Sequence, residues 1–81
     1  MVYLVVHGIW SMREGPKESE LIQLVGSVDS GESREIALSK AETRAAKFQR
    51  HNFEENAKYP YYWGRNDDVR EVHHFEVRPM A

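Results

Sequence analysis

The chain is 81 residues long, carries 11 Lys and Arg against 13 Asp and Glu for a net charge of −2 with histidines neutral, and contains no cysteine. A chain of this length makes one domain whose single core confers only marginal stability, so packing on a second copy or a partner has something to add. The near balance of charge is not the footprint of a general nucleic-acid binder, and without cysteine neither a disulfide framework nor a thiolate zinc site can form.

The first apolar run, Val2 to Val6, is too short to cross a membrane and has no basic segment before it, so neither a span nor a signal peptide is read and a cytoplasmic protein is expected. Its β-branched and aromatic residues, apolar on both faces, predict a central strand continuing through His7-Gly8-Ile9-Trp10, with Gly8 at a bulge or close approach. His7 reads as a core-edge histidine bonded to a neighbour. Residues 11–19, with Gly15-Pro16 at their middle, predict a charged surface loop long enough to serve recognition. Glu20 to Val28 is the second strand, paired with the first. Asp29-Ser30-Gly31-Glu32 then reads as a tight hairpin turn.

Ser33 to Leu38 is ambiguous. As a helix it would strand Ile36 in water, whereas as a third strand Ile36 faces Val25, and the strand is preferred over a long helix opening at about Ser33. Ser39 with Glu42 has the form of a capping box and predicts a helix over Ser39–Asn56. Ala41, Ala45, Phe48 and Asn52 form its packing stripe, joined by Ala37 if the helix starts early. Lys40, Arg44 and Lys47 follow one flank, with Arg50 at the back. A solvated surface is the ordinary reading of these cations; the alternative is a phosphate-contacting face made by Lys40, Arg44, Lys47 and Arg50.

Residues 57–68 gather Tyr59, Tyr61, Tyr62 and Trp63 into a segment that Pro60, Gly64 and Asn66-Asp67-Asp68 predict to be irregular. Such rings either fold down as a lid on a small core or, with Arg65, stand out as anchors for a protein partner. Base stacking is a third use, but Lys58 and Arg65 beside two aspartates support it thinly. Val69 to Arg78 predicts a last strand whose apolar phase switches near His73-His74, hence a bulge or a strand end there, and whose charges suggest an edge or a solvated outer face. Adjacent His73 and His74 point to opposite faces and do not make a metal site by themselves. No phosphate loop, nucleophile elbow or apolar carboxylate pair is present, so no enzyme, no cofactor and no metal are expected.

Tyr3-Leu4-Val5-Val6 ending at Gly8, the charged loop, Glu20-Leu21-Ile22, the Ala-rich helix and the closing Val69-Arg70-Glu71-Val72 together resemble small uncharacterised α/β proteins found in phages and prophages. That resemblance implies a binder of a host protein that blocks or redirects a larger machine. The expected architecture is one α+β domain over residues 1–81, with a three- or four-stranded, mainly antiparallel sheet in the order β-β-(β)-α-β and one helix on one face. The expected function is non-catalytic protein binding through Tyr59, Tyr61, Tyr62, Trp63 and Arg65. Edge-to-edge pairing into a homodimer is a further use of the sheet. A nucleic-acid-associated protein is the alternative, and a small-ligand cleft lined by His7, His73 or His74 the third reading.

Overall fold

Residues 1–11, 20–55 and 58–80 are described in the computed structural model, which folds as β1 (Tyr3–Ser11), β2 (Leu21–Gly31), α1 (Arg34–Ala45), β3 (Arg50–Glu54), β4 (Tyr61–Arg65) and β5 (Glu71–Pro79). The strands form one sheet in the order β2-β1-β5-β4-β3, antiparallel at every pairing. The α+β class and the single covering helix hold. The strand count rises from the expected three or four to five, and the element order is β-β-α-β-β-β.

Ser33 is the true helix cap. It sits in extended backbone, and its Oγ accepts the Ile36 N–H at 3.2 Å. The predicted cap, Ser39, lies exposed in mid-helix, its carbonyl accepting the Thr43 hydroxyl at 3.0 Å. Ser33 to Leu38 is therefore helical rather than a third strand. Ile36 does face water, 44% exposed, as its helical projection requires. A single exposed isoleucine is tolerable because much of any folded surface is apolar, so its exposure does not exclude the helix. The helix also stops well before Asn56. Phe48 turns down onto the sheet, and the Gln49 N–H donates to Asn66 Oδ1 at 3.0 Å while the Asp67 N–H donates to Gln49 Oε1 at 2.9 Å. These tertiary bonds send the chain into β3.

Ala37, Ala41 and Ala45 are fully buried on the helix's inner side and meet Val5, Phe75 and Val77 from the sheet, with Tyr3, Val28, Leu38, Phe48 and Tyr62 around them. Small side chains let the backbone descend, and a glycine lies beneath each end of the helix. A Cβ at Gly31 would sit 2.6 Å from the Ala37 nitrogen, and one at Gly64 would sit 2.5 Å from Phe48 Cδ2 and 2.8 Å from the Ala45 carbonyl. The 12-residue helix is about 18 Å long, close to the ~19 Å spanned by four strand spacings. It thus leaves one sheet edge at β2, touches every strand and delivers the chain to the other edge at β3.

β1 is interior as expected, but β5 lies at the centre of the sheet and not at its edge. Its register with β1 runs unbroken from Tyr3↔Pro79 to Ser11↔Glu71, so there is neither a bulge nor a strand end at His73-His74. The charges of β5 belong to its outer face instead. The irregularities fall in β2, where register shifts opposite Val5/Val6, His7/Gly8 and Ile9/Trp10 leave Val28, Val25 and Ile22 as extra residues. The Asp29–Glu32 stretch is not a hairpin turn, since Gly31 ends β2 and the chain passes straight to the Ser33 cap. The two further strands come from sequence read otherwise: β3 from the second half of the predicted helix and β4 from the aromatic segment. Pro60 precedes β4 and its carbonyl accepts the Val77 N–H at 3.0 Å. Gly64, inside β4, makes room for Phe48. Residues 12–19, where the recognition loop is predicted, and the predicted helix end at residue 56 lie outside the described residues.

Candidate functional site

Successive residues of a strand point to opposite faces, and only one face of this sheet carries a helix. On the other face β1 places Val6 and Trp10, β5 places Val72, His74, Glu76 and Arg78, and β4 places Tyr61, Trp63 and Arg65. The bulges of β2 turn Leu21 and Leu24 to the same side, over Gly8. Leu21 and Leu24 are 47% and 61% exposed, and the rings are half-buried. This open face gathers apolar and aromatic groups from four strands outside the core.

Registers arrange the face in levels. The middle level runs Leu24, Gly8, His74, Trp63 and Asn52 across all five strands. On one side of it lies the level of Val6, Glu76, Tyr61 and Glu54. On the other lie Leu21, Trp10 and Val72, with Arg65 opposite Arg50. The Trp10 ring stacks on His74 with centroids 5.3 Å apart, and Tyr61 stacks on the other side of the same imidazole at 4.5 Å. Trp10 and Tyr61 each give one ring face to His74. Glu54, Tyr61, Trp63, Arg65, Val72 and His74 enclose a shallow groove of about 230 Å³.

Burial, and after it the charge of His73, pushes His74 down to about 4, so its ring is neutral near pH 7. Burial, then Glu54 and Glu76, raises the Tyr61 hydroxyl above its ordinary value. The groove is thus lined by uncharged rings with Glu54 and Arg65 at its margins.

The predicted protein-binding residues divide between the faces. Tyr61, Trp63 and Arg65 share the open face, whereas Tyr62 points to the helix side and packs on Phe53 at 4.9 Å. Tyr59 precedes the strand and lies under the Arg78 guanidinium at 5.1 Å. The segment is therefore neither lid nor protruding patch but a strand that contributes to both sides. The four cations of the nucleic-acid alternative do not form one surface. Lys40 and Arg44 lie 3.6 and 3.5 Å from opposite oxygens of Asp29, and Lys40 also donates to the Ser30 carbonyl and Arg44 to the Val28 carbonyl. Lys47 stands beside them. Arg50 is on β3, bound to Asp67 at 2.5 Å.

His7 and His73 lie on the helix side, where His7 Nε2 and His73 Nδ1 are 2.7 Å apart and the rings pack against Phe75 and Phe48. His7 is the neighbour-bonded histidine the sequence suggests, and burial first, then His73 and Arg44, lowers its pKa. Among the described residues no three His, Asp or Glu side chains gather to hold a metal ion, and no helix is long and apolar enough to cross a membrane. Sequence reasoning missed Trp10, His74, Leu21 and Leu24 as parts of one surface. The available signal was the two-residue period of Tyr61, Trp63 and Arg65, which is a strand pattern. Comparison with protein-family models, curated proteins and solved structures finds no match.

Proposed function

We propose that the protein is a non-catalytic protein-binding module, a phage-type inhibitor or modulator of a host protein in the cytoplasm, that docks through the open face of its sheet. The observation that carries this reading is the row Trp10, His74 and Tyr61, stacked beside Trp63 and Arg65 on a face that no element of the described chain covers. Tyr, Trp and Arg are the side chains that dominate binding energy at protein interfaces, because they bury large rigid surface while keeping a polar tip.

Two features favour a protein over a nucleic acid on this face. Bases stack on free ring faces beside basic charge, and here both neighbours of His74, Trp10 and Tyr61, turn one face to its imidazole, while Arg78 is paired with Glu76 at 2.7 Å and Glu54 adds negative charge at the groove. Capture from host lysate by the wild-type chain and by a Tyr61→Ala/Trp63→Ala variant tests the reading. The expected result is a specific partner retained by the wild type and lost by a variant whose circular dichroism is unchanged. Equal retention by the folded variant would refute it. Binding to nucleic acid that weakens steeply with salt would favour the alternative.

A further inference from the structure

We infer that in the free protein the open face is covered by the same face of a second copy, related by a two-fold axis along the middle level of the sheet. The inference rests on the protein-binding reading of that face and names its occupant in the absence of another partner. Three observations carry it: the size of the face, its charge pattern and the state of the sheet edges.

Strands of 9, 11, 5, 5 and 9 residues give the face a footprint of about 600 Å² at ordinary strand spacing and rise. Two such faces in contact bury about 1,200 Å², the lower end of what a specific interface needs. The demand for cover is intrinsic, since Val5, Phe75 and Val77 are the only large side chains buried among the described residues. A sheet packed on one side alone leaves half its apolar surface wet.

The charges make the face complementary to itself. Glu54 and Arg50 lie at opposite ends of β3, equally far from Asn52 on the middle level, and Arg65 is the cross-strand partner of Arg50. Arg50 is held by Asp67, leaving Arg65 and Glu54 as the charges that flank the groove. A two-fold axis lying in the interface along the middle level exchanges the two outer levels. Each copy's Glu54 then comes over the other copy's β3 at Arg50, one strand spacing from Arg65 and within reach of its guanidinium, twice, while Trp63 and His74 of both copies meet at the axis. In isologous contacts of this kind every favourable pair is made two times. The edges offer less: β2 carries three bulges, which break the periodic ladder that strand addition requires, and β3 is short and polar.

Sedimentation equilibrium from micromolar to submillimolar concentration reads the association. The wild type is expected to be dimeric. Arg65→Glu alone and Glu54→Arg alone each place two like-charge pairs in the interface and should weaken dimerisation at least about tenfold. The mixture of the two variants, and the Arg65→Glu/Glu54→Arg double variant, should restore it. Recovery in the mixture is specific, because each variant still carries the partner charge that the other needs and no contact within one chain is repaired by mixing. A chain that stays monomeric, or dimers indifferent to both reversals and to mixing, overturns the inference. Loss of partner capture in the Tyr61→Ala/Trp63→Ala variant of a monomeric chain would leave the protein-binding reading standing by itself. Salt-sensitive binding of a thymidine oligonucleotide on this face would remove both.

Discussion

Gly64 offers the sharpest test of how the helix is seated. Its missing Cβ is occupied by Phe48 and by the Ala45 carbonyl, with Cδ2 at 2.5 Å and both Cγ and the carbonyl oxygen at 2.8 Å from where that Cβ would stand. Non-bonded carbons rest about 3.5–4.0 Å apart, so Gly64→Ala requires the Phe48 ring to retreat by about 1 Å and the last helical turn to rise with it. Overpacking of this kind costs about 1–3 kcal/mol, and restriction of the unfolded chain returns about 0.4–1 kcal/mol. A net loss of about 1–2 kcal/mol is expected, which for a domain of this size lowers the melting temperature by about 4–16 °C. Thermal and urea unfolding at fixed protein concentration would measure it. Phe48→Ala, destabilising in itself, should make the added Gly64→Ala change cheaper than in the wild type, a coupling that a double-mutant cycle reads directly. An unchanged or raised melting temperature for Gly64→Ala would refute the seating, as would a cycle with no coupling.

Two further outcomes follow from the same architecture. Ser33→Ala removes the acceptor of the Ile36 N–H and should cost about 1 kcal/mol, while Ser39→Ala, in an exposed helix interior, should be neutral or slightly stabilising; urea midpoints that ranked them the other way would place the cap at Ser39. His74 gives a pH signature. Its value in the folded chain, about 4, lies below the ordinary 6.5, so the unfolded chain takes up the proton first as pH falls. The contribution is fully present above 6.5 and is lost down to about 4. The gap corresponds to about 3 kcal/mol, reduced to about 1–2 kcal/mol because part of the ring meets solvent. Between pH 7 and 4.5 the urea midpoint of the wild type should fall more steeply than that of His74→Gln. His7, also lowered, acts with the same sign in both proteins, and the carboxylates of Asp29 and Asp67, held below their usual range, act at lower pH. Parallel slopes would remove the assignment to His74.

The first two strands and the alanine stripe were legible because their signals are local: β-branched runs and a repeat of small residues. The helix ends were not, because Ser33 and Ser39 carry the same capping chemistry and only the fit of Ala37 over Gly31 decides between them. β3 has almost no apolar content and becomes a strand through its neighbours, with Phe53 packed on Tyr62 and Gln49 bonded to Asn66 and Asp67. In β4 the glycine that suggests a break is the residue the helix rests on. Tyr61, Trp63 and Arg65 were found as a group, yet their partners Trp10 and His74 lie far away in the chain, where only the long-range register of β1 and β5 brings them together.

That register has a kinetic consequence. Val5 and Val77, at nearly opposite ends of the chain, are direct partners in the centre of the sheet. The helix and the β3–β4 ribbon need only short loops and can organise early, but the middle of the sheet closes over the longest loop available, at an entropic cost that accumulates by about 0.6 kcal/mol for each doubling of length. High contact order of this kind makes folding slow. During synthesis β1 can pair with β2 early, but its other edge must wait until β5 has left the ribosome. Moving β5 ahead of β1 through a short linker should therefore accelerate refolding far more than it changes equilibrium stability.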